Sequence, residues 1–85
     1  MNRDLLNNAD PVAVRTATVS IFDRVQSQQP HVQLMSLCAA FLILAEHWRI
    51  PAQDVFTVTK NLMNDADGRH VVEFNAMRQY VKDEL

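Results

Sequence analysis

Leu37-Cys38-Ala39-Ala40-Phe41-Leu42-Ile43-Leu44-Ala45 decides the fold: not one residue in the run is polar. The run sits inside a longer segment, Val32 to Trp48, bracketed by Pro30 and Pro51. A surface helix carries one apolar stripe, whereas a helix apolar on every side must be covered on every side. One stripe comprises Leu34, Cys38, Phe41, Ala45 and Trp48, widened by Leu37 and Leu44. That stripe suffices for an ordinary core. The opposite side still presents Met35, Ala39, Leu42 and Ile43. With 85 residues in all, little chain remains to cover both sides. Those four residues are therefore the candidate self-association surface, and a homodimer is the expected state; the alternative is that the three other long helices wrap the second on all its sides. Ala39 and Ala40 are small, which lets another helix approach closely, since interaxial distance follows side-chain size.

The flanks complete a helical reading. Asp10-Pro11 is a helix start, an N-cap acceptor followed by proline at N1, where the missing N–H is lost at no cost. The first long helix runs from about 11 to 26, with Val14, Ala17, Ile21, Phe22 and Val25 at helical spacing. The second spans about 31–49 and stops before Pro51, because proline biases its predecessor away from the αR region. The third covers about 51–64, with Val55, Phe56, Val58, Leu62 and Met63 apolar. Asn64-Asp65-Ala66-Asp67-Gly68 is a turn cluster holding the only glycine, with Asp67 placed to cap the next helix. The fourth spans about 71–84, with Val71, Phe74, Met77 and Val81 on one seam and Tyr80 beside it. Residues 1–9 form a polar lead in which Leu5 and Leu6 can tuck one turn against the body. A single glycine argues against a many-turned β fold. The expectation is one all-α domain over 1–85, a compact bundle of four helices with the second at its centre.

Composition narrows the function classes. The chain is 48% hydrophobic and 21% charged with a formal net charge of −2, so it has the make-up of a globular protein and not of a disordered one. Opposite charges alternate along the chain, as in Arg3/Asp4, Asp23/Arg24 and Glu46/Arg49, and no basic run marks a nucleic-acid face. Cys38 is the only cysteine, which excludes an intrachain disulfide; its apolar neighbours predict a buried small hydrophobe. The N-terminus has no apolar h-region of a signal peptide, and the apolar run is about half the ~20 residues that span a bilayer. A cytoplasmic protein is expected. The C-terminal Lys82-Asp83-Glu84-Leu85 matches an endoplasmic-reticulum retention signal, but it reads as a coincidental last helical turn without a route into that compartment.

The most specific functional pattern is Leu44-Ala45-Glu46-His47-Trp48-Arg49-Ile50-Pro51-Ala52-Gln53-Asp54-Val55-Phe56-Thr57-Val58. Within residues 41–60 it resembles the helix–turn–helix of bacterial repressors. Ala45 stands at that family's small position, Ile50 at the aliphatic after the turn, and Val55 and Val58 at the anchors of the second helix. Arg49 replaces the usual turn glycine. The resemblance implies DNA contacts from Gln53, Thr57 and Lys60. The chemistry is thin for it, because Asp54 opposes phosphate and an acidic chain draws little from the phosphate attraction that dominates such binding. A plain αα corner has the same apolar spacing. The AAFLILAEHW…QDVFTVTKNLM texture also looks like small all-α accessory proteins of bacterial and phage genomes, which implies a non-enzyme that docks onto another protein.

Other chemistries find no footing. An EF-hand alignment through Asp65, Asp67 and Gly68 puts Met63 and Phe74 where carboxylates are required. His31, His47 and His70 are far apart, have no cysteine at ligand spacing, and read as exposed or interface side chains. No serine or cysteine is paired with a histidine for nucleophilic catalysis. No cofactor, metal site or catalytic residue is therefore expected. Trp48 is the candidate partner contact, since tryptophan concentrates at interface centres. A self-associating helical interaction module is the first reading, and a helix–turn–helix regulator the alternative.

Overall fold

A computed structural model describes residues 1–85. The chain is entirely helical: α1 (Arg3–Asn7), α2 (Pro11–Val25), α3 (Pro30–His47), α4 (Ala52–Asn64) and α5 (Val71–Glu84). The four long helices fall within two residues of the expected bounds. The count differs, because the polar lead forms a helix of its own. Asn2 Oδ1 accepts from the Leu5 N–H at 3.1 Å and caps α1, and Leu6 is half-buried while Leu5 stays exposed. Asp10 caps α2 as its sequence position suggests, its carboxylate accepting from the Ala13 N–H at 3.2 Å.

The larger correction concerns the centre. α4, not the apolar α3, is the hub: it packs against α1, α3 and α5, and α5 in turn packs against α2. Val58 of α4 is buried, with Val55 and Leu62 half-buried along the same face. Phe74 and Met77 of α5 are buried, and Val71 and Val81 extend that seam. Tyr80 stacks on Phe22 of α2 with ring centroids 6.4 Å apart. Arg15 of α2 donates to Glu73 of α5 at 2.8 Å. On α2 the inward face is Val14, Thr18, Phe22 and Val25, while Ala17 and Ile21, expected inside, are exposed. Thr18 falls four residues after Val14 and four before Phe22, so the packed face is rotated from the most apolar one.

Helix α3 is held near its two ends. At its start Gln33 Nε2 donates to the Val25 carbonyl at 3.0 Å, which ties it to the end of α2. At its finish the chain makes a complete Schellman turn. The Ile50 N–H reaches the Ala45 carbonyl at 3.0 Å and the Arg49 N–H reaches the Glu46 carbonyl at 3.2 Å. Arg49 takes the left-handed position with φ 55°, a place glycine usually fills. Ala45 and Ile50 meet beneath the turn and are both buried, the apolar contact that accompanies this motif. The turn swings α4 away from α3 by 119°. The last part of α3 lies over α4, where Phe41, Leu44 and Ala45 come beside Val55, and the outer sides of the helix stay open. No single helix is long and apolar enough to cross a membrane.

The turn before α5 also differs in detail from expectation. Asp65, not Asp67, supplies the side chain: its Oδ1 accepts from the Asp67 N–H at 3.2 Å, and its carbonyl accepts from the Gly68 N–H at 2.9 Å. The cap residue of α5 is His70, which makes no side-chain cap bond.

Candidate functional site

The distinctive surface of the molecule is α3 and the groove at its foot. Of the stripe expected in the core, only Leu37, Phe41 and Ala45 face inward. Leu34 is 72% exposed, Leu44 57% and Trp48 54%, and Cys38 is exposed, contrary to its expected burial. The opposite side is open: Met35 is 69% exposed, Ile43 62% and Leu42 49%, with Ala39 exposed between them. The helix is thus covered along the one face of Gln33, Leu37, Phe41 and Ala45 and open on its other sides, although its residues are those of a protein interior.

Surface area shows how unusual this is. The chain exposes 6307 Å². A folded monomer of its 9.7 kDa mass is expected to expose about 5,100 Å². The excess, about 1,200 Å², exceeds the ~800 Å² that one partner contributes to a standard interface. The radius of gyration, 13.2 Å, is above the ~12 Å of a compact chain of this length, and the thinnest dimension is 18 Å. Six residues are buried, and no large side chain is buried completely. The surplus surface is not spread evenly, for α3 holds five of the exposed large hydrophobics and Trp48 directly follows it.

At the foot of α3 an open groove runs between Leu6 of α1, Phe41, Leu44 and Ala45 of α3, Trp48 and Ile50, and every residue lining it is hydrophobic. Trp48 is positioned by the Schellman turn and by an edge-on contact with His47, with ring centroids 4.8 Å apart. The groove offers shape and apolar area but no polar group that could orient a reaction.

The α3–α4 corner also bears on the helix–turn–helix pattern. Ala45, Ile50 and Val58, three of its key positions, are all buried. Of the proposed contact residues, Gln53 and Lys60 are exposed and Thr57 is half-buried. Gln53 donates to the Thr57 hydroxyl at 3.2 Å, and the Lys60 ammonium lies 5.7 Å from the centre of the exposed Phe56 ring. The face carries two cations, Arg49 and Lys60, and the half-buried Asp54. Arg49 in the left-handed position explains how the corner forms without the family's glycine; nothing in its letter marks that conformation.

His70, expected at the surface, is 4% exposed, and its Nε2 has no hydrogen-bond partner within the protein. It packs by Phe74, ring centroids 6.2 Å apart, under the α1–α4–α5 junction. Its position in a turn between two helices hid this, since burial there depends on where α1 returns. His31 and His47, by contrast, are exposed and lie at opposite ends of α3.

No protein-family model, curated protein or solved structure matches this chain.

Proposed function

We propose that the protein is a non-enzymatic helical interaction module that associates with a second copy of itself through α3 and docks onto another protein at the groove beside Trp48. The observation that carries this reading is the apolar α3 left open, in the single chain, on the sides away from its Leu37, Phe41 and Ala45 face. Apolar surface of this extent and continuity marks an interaction site in a soluble protein. A second copy is an economical cover, because a twofold interface uses the same patch on both subunits. Met35, Ala39, Leu42 and Ile43 form the self-association surface, and Trp48 with Leu44 and Leu6 forms the second contact. Multi-angle light scattering over a wide concentration range tests it, with twice the chain mass expected. A constant mass of 9.7 kDa at every concentration would refute self-association.

A second reading, a helix–turn–helix DNA-binding regulator, is favoured by one observation: the 119° corner closes over Ala45, Ile50 and Val58 in the expected pattern. It would use Gln53, Thr57 and Lys60, with Arg49 at the phosphate backbone. Fluorescence anisotropy on mixed-sequence duplexes at low salt separates the two readings. Binding that weakens steeply with salt and is lost in Lys60→Glu supports it, and no binding at about 10 µM protein removes it.

A further inference from the structure

We infer that two copies pair their α3 helices antiparallel, about a twofold axis passing between Cys38 and Ala39; this rests on the self-association proposed above and specifies its geometry. The inference begins from one exposed strip. At about 100° per residue, His31, Met35, Cys38, Leu42 and Glu46 fall along one side of α3, with Ala39 at the edge of that strip. Their spacing of four, three, four and four residues is that of a helix–helix seam. All are exposed: Met35 by 69% and Leu42 by 49%, with His31, Cys38, Ala39 and Glu46 also open to solvent. Nothing in the same chain covers the strip, and the area excess is of the size that a second copy would bury.

The strip is complementary to itself in only one sense. Antiparallel about that axis, each residue lies level with the one equally far beyond the axis on the other copy. Met35 then meets Leu42, an apolar pair near the middle of the seam. His31 comes level with Glu46, so a ring N–H can donate to a carboxylate at each end. The small Cys38 and Ala39 sit at the centre, where the two backbones come closest. Parallel pairing would instead set Glu46 beside Glu46, carboxylate against carboxylate. With helix radii of ~2.3 Å and axes about 8–9 Å apart, the two Cys38 Cα atoms stand roughly 6 Å apart, within disulfide reach.

A charge exchange tests the register. Met35→Lys and Leu42→Glu each leave an unpaired charge in the seam and are expected to weaken dimerisation by at least about 100-fold, read by sedimentation equilibrium. Both side chains are exposed in the single chain, so helicity by circular dichroism should persist. The double variant Met35→Lys/Leu42→Glu, and an equimolar mixture of the two single variants, should recover the dimer to within about tenfold, because the introduced ammonium then meets the introduced carboxylate across the seam. If the wild type dimerises and the single variants disperse but neither combination recovers, the antiparallel register is wrong while self-association stands. Single variants that remain dimeric place the interface elsewhere and overturn the seam. A wild type that never dimerises removes both. A measurement without substitutions stands beside these. Diamide takes one hydrogen from each of two thiols, becoming the hydrazine, and should link most of the dimeric wild type through Cys38–Cys38. A sample that scatters as a dimer yet gives no linked species overturns the position of the axis.

Discussion

Arg49→Gly should stabilise the protein. The residue closes α3 in the left-handed region, with φ 55°, at the C′ position of a Schellman turn. A side chain with a Cβ costs roughly 1–2 kcal/mol in that region. Glycine removes that strain but adds freedom to the unfolded chain, which offsets roughly 0.5–1 kcal/mol. The side chain of Arg49 is exposed and makes no hydrogen bond or ion pair within the protein, so no other contact is lost. The net gain is about 0.5–1 kcal/mol, which for a chain of this size raises Tm by roughly 3–6 °C. Arg49→Val runs the other way, since branching at Cβ makes the left-handed region worse, and should cost about 1–2 kcal/mol. Thermal and urea unfolding followed by far-ultraviolet circular dichroism, at one fixed protein concentration, read both. A lower Tm for Arg49→Gly, or equal stability for the glycine and valine variants, would refute the reasoning and with it the account of how α3 ends.

Four further outcomes rest on the packing. Val58→Ala, at the most buried side chain of the hub helix, should cost about 2 kcal/mol in urea titration, from two lost methyl groups and the space they leave. Removing Arg15 or Glu73 breaks an ion pair whose side chains are 37% and 15% exposed, so solvent screening keeps its coupling energy in a double-mutant cycle to about 0.5–1 kcal/mol. His70→Leu should raise stability by about 1 kcal/mol, because the buried Nε2 has no partner to lose; a fall would mean that the ring makes a bond unseen in the single chain. Trp48→Ala, at a side chain 54% exposed, should leave Tm by circular dichroism within about 1 °C, and a fall of several degrees would mean that the indole is part of the core.

Much of the architecture was legible in the letters. Asp10-Pro11, Pro30, Pro51 and the cluster around Gly68 mark helix boundaries because they act through local backbone chemistry: a missing N–H, a side-chain cap, a tight turn. Those effects involve neighbours in sequence, so they can be read without knowing the fold. The α5 seam of Val71, Phe74, Met77 and Val81 was legible for the same reason, its partners being selected by a regular period. The short α1 was harder to see, for one turn of helix capped by Asn2 is marginal until Leu6 finds α4.

What the chain alone decided is that it is helical, where its long helices begin and end, and that one of them is apolar on every side. Tertiary structure decided which helix became the hub. A backbone turn at Arg49, invisible in its side chain, directs α4 at 119° from α3, and only one face of α3 is covered. Hydrophobicity favours covering a surface, but it carries no direction; the angle between helices determines which surface its own chain can reach and which stays open.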